Sequence, residues 1–224
     1  MVGQLTLERG RWGGAEAGEL YGLTVLRTPA DPAGWLGQAR LRRAGRNMER
    51  GGVRRALVPA GFEGWLEEHG LARVDPLPLV RNQSAPLALE LLRRQGREPS
   101  GAVVALRGTR ADREMEQAAL RLSSRVRRLV IAAPRGGAEL AARLRWELGI
   151  PILPPESEAG VAVCFAPEED VPAQSVLALH GAWPGLGGLE LTAPGLREGD
   201  RGDLPLLTAL WEGGRLTERD LKIT

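Results

Sequence analysis

Several residue types are scarce in this sequence, and each shortage excludes a class of protein. Cys164 is the only cysteine in 224 residues, so no internal disulfide can form and no oxidising compartment is implied. Two histidines and one cysteine cannot build the usual zinc clusters, and we expect no metal site. No apolar run approaches the roughly 20 residues that span a bilayer, and no signal-peptide pattern is present. We therefore expect a cytoplasmic protein with no membrane partner.

Aromatic residues are also rare, at 4% of the chain, and six of them are tryptophan. Leu, Val, Ala and Ile must therefore fill the core. Apolar residues make up 43% and charged residues 26%, a balance typical of globular proteins. The formal net charge is only +2, so the overall charge does not indicate nucleic-acid binding.

The N-terminal quarter has a strand pattern followed by a helix pattern. Residues 3–9 and 20–26 alternate apolar and polar side chains, which predicts an antiparallel N-terminal β-hairpin. A helix is predicted over 34–50, with Asp31 as its N-cap.

From residue 54 onward, short apolar runs alternate with longer amphipathic segments. The predicted strands cover 55–59, 102–106, 129–132, 150–153, 161–165, 176–179, 189–192 and 221–223. The predicted helices cover 62–69, 84–95, 112–124, 137–148 and 204–211. Pro151 cannot donate to a strand ladder, which predicts an edge position for 150–153. The alternation indicates a mainly parallel sheet with helices on both faces.

The order of elements in residues 102–153 resembles Rossmann-like α/β domains, although it contains no family's diagnostic motif. The expected fold is therefore α/β, a mainly parallel Rossmann-like sheet preceded by an N-terminal β-hairpin and helix. No linker-like segment divides the chain, so we predict one domain over 1–224. Within it, 1–52 would form the hairpin and helix, and 53–224 the Rossmann-like core with the C-terminal strands.

Two strand-to-helix loops are candidate binding sites, because ligands bind outside the carboxyl ends of strands in open parallel sheets. In the first loop, Gly108 permits close backbone approach and Thr109 can contact an anion at the helix N-terminus. Arg107 or Arg110 would complete a fork around a phosphate. The alternative interpretation is a tight turn followed by Asp112 as an N-cap.

The second candidate loop contains Arg135, Gly136 and Gly137. Two glycines at a helix N-terminus permit a nest of backbone N–H groups around an anion. Their spacing matches neither the dinucleotide nor the P-loop pattern, so the loop specifies no cofactor. A structural turn is the alternative.

Cys164 and His180 end two predicted strands, which would bring them to one edge of the sheet. Thiol chemistry would need a basic neighbour that lowers the pKa of the cysteine. The alternative is a small buried cysteine beside a histidine at a strand end. The acidic run at 168–170 is interpreted as a solvated turn.

One dense basic stretch lies on the predicted helix over 34–50 and just beyond it. It contains Arg40, Arg42, Arg43, Arg46, Arg50, Arg54 and Arg55. Helical spacing places Arg42, Arg46 and Arg50 in one row. We interpret the row as a solvated surface, and nucleic-acid binding through it is the least favoured alternative.

The leading hypothesis is a Rossmann-like protein that binds a small anionic or nucleotide-like ligand at the 107–112 and 133–137 loops. The alternative is a non-catalytic module that binds a protein partner and carries a degenerate site. The sequence leaves open whether a reaction is catalysed, because it contains no complete catalytic motif.

Overall fold

The computed structural model describes residues 1–224, and its contacts divide the chain into two compact units. Unit 1 comprises Met1–Asp75 and Ala193–Leu221, and unit 2 comprises Pro76–Thr192 and Lys222–Thr224. The prediction of a single domain over residues 1–224 stays a prediction.

The chain contains twelve strands and seven α-helices. The strands are β1 (Val2–Leu7), β2 (Glu16–Leu20), β3 (Leu23–Ala30), β4 (Arg55–Leu57), β5 (Ala72–Arg73), β6 (Val103–Arg107), β7 (Arg128–Ala132), β8 (Ile152–Leu153), β9 (Ala159–Cys164), β10 (Ala173–Ala178), β11 (Leu191–Thr192) and β12 (Lys222–Ile223). The helices are α1 (Gly37–Arg50), α2 (Glu63–Glu68), α3 (Leu77–Asn82), α4 (Ser84–Arg94), α5 (Arg113–Ser123), α6 (Gly137–Leu148) and α7 (Leu204–Glu212).

Unit 1 is built on a five-stranded sheet in the order β2-β3-β1-β4-β5. The strands β3, β1, β4 and β5 are parallel, and β2 is antiparallel to β3. The predicted strand over 55–59 therefore belongs to this sheet and not to the Rossmann-like core in which the sequence analysis placed it.

The N-terminal hairpin exists, but the predicted pairing of its strands is wrong. The segments predicted over 3–9 and 20–26 correspond to β1 and β3, which run parallel, with Val2 opposite Val25. The hairpin is formed by β2 and β3 and turns at Tyr21 and Gly22, which both have positive φ, at 50° and 81°. Two-residue hairpin turns favour such angles. The strand β2 was not predicted, because it lies partly in the glycine-rich segment between the two predicted strands.

The prediction that Asp31 caps α1 is also wrong. Leu36 occupies the N-cap position, and no side chain caps the helix. The Asp31 carboxylate instead accepts hydrogen bonds from the N–H groups of Gly10 (2.7 Å) and Ala33 (2.9 Å), and these bonds lower its pKa. It also pairs with Arg40 at 3.3 Å, so it ties loops together before the helix begins.

The core of unit 1 lies between α1, α2 and the sheet. Leu41 and Met48 of α1 pack with Leu5 of the central strand and with Trp65 of α2. Gly45 permits this approach, because a Cβ atom there would lie 2.0 Å from the His69 ring. The helix therefore needs a glycine at this position.

Unit 2 is built on a parallel sheet in the order β10-β9-β6-β7-β8. Counted along the chain from β6, the order is 3-2-1-4-5 when read from β8, which is the order of the first five strands of the Rossmann fold. All six residues of β9 are buried, as expected for a strand covered on both faces. The predicted fold class, the resemblance to Rossmann-like domains and the edge position of β8 are confirmed.

Candidate functional site

A cavity of about 770 Å³ opens at the carboxyl ends of β6, β7 and β9 in unit 2, a volume typical of ligand pockets. The strands β7 and β8 lie on one side of β6, and β9 lies on the other. The cavity spans this change of side, and open α/β sheets bind ligands at such a point. Its walls are mainly apolar and include Ile131, Pro134, Ala138, Ala141, Leu153 and Pro167.

The structure brings four of the seven predicted ligand-binding residues to this cavity. Arg107, Gly108, Thr109 and Gly137 line it. The other three, Arg110, Arg135 and Gly136, are not among its lining residues.

Arg110 and Arg135 are instead held by the backbone. The two residues form an isolated parallel bridge, and the N–H of Ala111 donates to the Arg135 carbonyl at 2.8 Å. The two candidate loops are therefore adjacent, as the hypothesis requires. Only part of each loop faces the cavity.

The Arg107 guanidinium is committed to other groups and does not form the expected phosphate fork. It is 7% exposed, and its Nε and Nη2 atoms donate to the Glu168 carboxylate at 2.9 and 2.5 Å. Its Nη1 donates to the Pro155 carbonyl at 2.8 Å. The hydrogen bond to Glu168 raises the pKa of Arg107. Glu168 is thus a structural ion-pair partner, which corrects its interpretation as part of a solvated turn.

The N-termini of α5 and α6 differ in their suitability for an anion. At α5, Asp112 is the N-cap and accepts from the N–H of Met115 at 3.0 Å, as the alternative interpretation of that loop predicted. Glu114 and Glu116 of its first turn are paired with Arg81 and Arg143. The Asp112 carboxylate therefore takes the position that an anion would need at this terminus.

At α6, the N-cap is Gly136, with φ 74°, and no side chain accepts from the first turn. Gly137 and Ala138 of that turn line the cavity. Unpaired N–H groups and the helix dipole favour an anion at such an end. The only acid of the turn, Glu139, lines a separate depression with Arg143.

Arg145 is a cavity residue that the sequence analysis missed. It lines the cavity from α6, and its Nη2 donates to the Ile152 carbonyl at 3.0 Å, while the residue stays exposed. Its other guanidinium nitrogens, Nε and Nη1, can meet an anionic ligand. The signal in the sequence was its spacing: Ala138, Ala141 and Arg145 follow one another at three and four residues, along one helix face.

Two glycines of the site also serve packing. A Cβ atom at Gly137 would lie 3.2 Å from the Ala133 Cβ, so the glycine allows α6 to start close to the end of β7. A Cβ atom at Gly108 would lie 3.2 Å from the Met115 Cε. A larger residue at either position would require its neighbour to shift by a few tenths of an ångström.

Cys164 and His180 lie at the carboxyl ends of the neighbouring strands β9 and β10, as predicted. Cys164 is buried, and its side chain forms no hydrogen bond with His180. Burial, and next the charge of Glu168, raise the pKa of the thiol to about 11, so it is protonated at neutral pH. A protonated thiol is a poor nucleophile, and the geometry favours the structural interpretation.

The arginine stretch in unit 1 divides into paired and exposed residues. Arg40 pairs with Asp31 and stacks over Trp12 at 5.0 Å, and Arg55 pairs with Glu212 at 2.6 Å. The row predicted on α1, formed by Arg42, Arg46 and Arg50, is exposed.

No group of three or more His, Cys, Asp or Glu side chains is arranged to hold a metal ion. None of the helices has both the length and the apolar character needed to cross a membrane.

Comparisons with known proteins give distant structural matches. No family model and no curated protein matches the chain. It is similar to L-tryptophan dehydrogenase from Nostoc punctiforme, with a TM-score of 0.32 and 16% identity over 64% of this chain and 44% of that one. This chain thus spans less than half the length of that enzyme.

Two further solved structures show the same level of similarity. A chorismate mutase/shikimate 5-dehydrogenase fusion protein from Clostridium acetobutylicum has a TM-score of 0.29 and 8% identity, over 79% of this chain and 76% of that one. D-lactate dehydrogenase from Escherichia coli has a TM-score of 0.24 and 18% identity, over 58% and 48%. Scores this low carry no argument about activity, and the strand order of unit 2 is what shows that the chain has a Rossmann-like fold.

Proposed function

We propose that unit 2 binds a small nucleotide-like ligand, a flat apolar ring system that carries an anionic group, in the cavity at the carboxyl ends of β6, β7 and β9. The observation that carries the proposal is the continuity of an apolar cavity with an uncapped helix N-terminus, at α6. The proposal concerns binding, and no residue is assigned a catalytic role.

The apolar walls suit the ring system. Ile131, Ala141 and Leu153 present hydrocarbon surface, and burying the faces of a ring against such surface is favourable at about 25 cal/mol per Å². The Thr109 hydroxyl can fix the orientation of the ring through one hydrogen bond.

The anionic group would lie at the start of α6. There the first-turn N–H groups of Gly137 and Ala138 have no side-chain acceptor, and Arg145 lines the same cavity from the next turns of the helix. Backbone N–H groups and a guanidinium together form a common phosphate-binding arrangement.

This placement differs from that in a typical dinucleotide-binding domain, where the phosphates lie at the helix that follows the first strand of the sheet. Here that helix is α5, where the Asp112 carboxylate already occupies the N-cap and accepts from the N–H of Met115. A ligand phosphate would have to displace this carboxylate from the first turn. The proposed ligand is therefore anchored one helix further along the chain.

A thermal-unfolding scan read by tryptophan fluorescence tests the proposal. The panel holds NADH, NADPH, S-adenosylmethionine, ATP, GTP and sugar phosphates. A ligand at 100 times its Kd adds about 2.7 kcal/mol of stability, which corresponds to a rise in Tm of roughly 5–10 °C for a chain of this length. We expect at least one nucleotide of the panel to produce such a shift.

Two arginines of α6 provide a matched pair for the test. Arg145→Ala removes a cavity arginine that, unlike Arg107, is not paired with Glu168, and it should reduce the shift by more than half. Arg143→Ala, whose side chain pairs with Glu116 outside the cavity, should leave it unchanged. No shift with any nucleotide, or an equal loss in both variants, would contradict the proposal and favour the interaction module.

A further inference from the structure

Unit 1 has a cavity of its own, with a volume of about 450 Å³, at the carboxyl ends of β1 and β4. The strand order reverses between β1 and β4. The strand β3 lies on one side of β1, and β4, which follows β3 in the chain, lies on the other side. The rule that locates ligands in open parallel sheets therefore selects this position as well.

The polar part of this cavity carries charges of both signs. Asp200 and Asp203 provide carboxylates, while Arg27 and Arg197 provide guanidinium groups. Gln4 accepts a hydrogen bond from the Arg27 Nε at 3.3 Å, which leaves the terminal nitrogens of that guanidinium for another partner.

Each carboxylate is fixed through one oxygen. Asp200 Oδ2 accepts from the Tyr21 hydroxyl at 2.5 Å, and Asp203 Oδ1 accepts from the N–H of Leu206 at 3.2 Å. The second oxygen of each carboxylate takes no part in these bonds. Tyr21 has a positive φ, an unfavourable conformation for a residue with a side chain, and its hydroxyl nevertheless orients Asp200 from the hairpin turn. Two carboxylates are thus held in place, each with one oxygen available.

We propose that this cavity binds a small uncharged molecule that is rich in hydroxyl groups, such as a monosaccharide or a cyclic polyol. A hydroxyl group donates to a carboxylate and accepts from a guanidinium at the same time, so neighbouring hydroxyls can satisfy both kinds of side chain. A simple anion would be repelled by Asp200 and Asp203, and a simple cation by Arg27 and Arg197. An uncharged ligand also avoids the cost of desolvating an ion of its own.

The apolar wall of the cavity complements the same class of ligand. Leu5, Leu57 and Leu206 are among its lining residues. A sugar or polyol ring presents C–H groups on one face, which can pack against leucine side chains while the hydroxyls meet the polar rim.

This inference does not depend on the function proposed for unit 2, because every residue of this cavity belongs to unit 1. Nucleotide binding and polyol binding can therefore succeed or fail separately in experiments on the full chain.

The test is saturation-transfer difference NMR on the full-length protein with D-glucose and myo-inositol as the probes. We expect saturation transfer from the wild-type protein to at least one of them. Asp200→Asn and Asp203→Asn should each weaken binding by about tenfold, because each replaces a charge-assisted hydrogen bond with a neutral one. Glu19→Gln, at an exposed site on β2, is the control and should bind like the wild type.

Both substitutions keep the local structure. Asn at position 200 can still accept from Tyr21, and Asn at position 203 is a favourable N-cap for α7. A thermal melt of each variant verifies folding. Absence of transfer to both probes, transfer that survives both substitutions, or stronger transfer to glycine or methyl phosphate than to either polyol would overturn the proposal.

Discussion

Unit 1 and unit 2 each contain a five-stranded sheet whose parallel strands open into a cavity at their carboxyl ends. In unit 2 all five strands are parallel, and every residue of β9 is buried. In unit 1 the sheet ends in the antiparallel strand β2, which has no buried residue. The cavity of unit 2 is mainly apolar, whereas that of unit 1 has two carboxylates and two guanidinium groups.

This difference shows that the position of a ligand site and the identity of its ligand depend on different features of the fold. The strand order decides where a ligand can bind, and it selects equivalent positions in both sheets. The side chains that follow the strands decide which ligand is accepted. Pro134 and Pro167, in loops that follow strands of unit 2, suit the apolar ring that we propose there. In unit 1, Asp200, Asp203 and the β3 residue Arg27 suit the hydroxyl groups of the proposed polyol.

The largest effect should come from truncating a buried leucine of the unit 2 sheet. Leu129→Ala in β7 removes a side chain with no exposure and should lower the free energy of unfolding by about 3 kcal/mol. Leu20→Ala in β2, where the leucine is half-buried, should cost about 1 kcal/mol. Urea unfolding measures both values. Equal losses would show that the two sheets are equally well covered.

The same urea curves test the predicted single domain. One cooperative transition, reported equally by tryptophan fluorescence and by far-UV circular dichroism, is expected for the wild type. Two separated transitions would show that unit 1 and unit 2 unfold independently.

The next effect concerns pH and Cys164. Because burial raises the pKa of the thiol from 9.0 to about 11, the folded protein keeps a proton that the unfolded chain releases in this interval. The stability should therefore fall as the pH rises from 9 to 11, by about 2 kcal/mol from this group alone. Cys164→Ala removes this contribution to the pH dependence of stability. The contributions of Tyr21 and all other groups are common to both proteins and cancel in the comparison.

The measurement is the difference in unfolding free energy between wild type and Cys164→Ala at pH 8 and at pH 11. We expect the advantage of the wild type to shrink over this interval. A constant difference would mean that the thiol is not held in its neutral form by the fold of unit 2.

Breaking one ion pair in each unit should lower the free energy of unfolding by different but smaller amounts. Glu168→Gln leaves the buried Arg107 guanidinium without its negative partner. The cost should be about 2 kcal/mol, below that of a fully buried pair, because the Glu168 side chain is one-third exposed. Glu212→Gln breaks the pair with Arg55, which is 41% exposed, and should cost at most about 1 kcal/mol. Chemical denaturation at neutral pH compares them. The reverse order would show that Arg107 finds another acceptor.

The smallest effect distinguishes two N-caps. Asp112→Ala in unit 2 should cost about 1 kcal/mol, because Asp112 accepts from the first turn of α5. Asp203→Ala in unit 1 should cost less, because loss of surrounding water raises the pKa of that carboxyl and offsets part of its capping bond. Thermal melts at pH 7 measure both costs. A larger loss at Asp203 would mean that the cap outweighs the desolvation.

Local patterns in the sequence predicted much of unit 2 correctly. The apolar runs that became β6, β7 and β9 are buried on both faces, so their composition alone identifies them as strands. Asp112 was foreseen as an N-cap in the alternative interpretation of its loop, because capping depends on residues only three positions away. In unit 1 the same methods predicted the wrong strand pairing. The segments that became β1 and β3 have the same alternation whether they run parallel or antiparallel.

The candidate sites show the same limit. The loops after β6 and β7 were placed correctly, since the strand order follows from the alternation of elements. The role of Arg107 was not predicted, because its partner Glu168 lies 61 residues further along the chain. Arg145 and the cavity around Asp200 and Asp203 were also missed, since their members come together only after folding.

The sequence by itself determined the fold class, the order and approximate bounds of most strands and helices, and the two loops that adjoin the cavity of unit 2. These depend on composition and on spacing over a few residues, which hydrophobic burial and backbone hydrogen bonding translate directly into local structure. The tertiary structure alone decided which strands pair in unit 1 and that Arg107 is paired with Glu168. It also decided that Tyr21 donates to Asp200. Those outcomes depend on contacts between residues far apart in the chain, for which no local pattern exists.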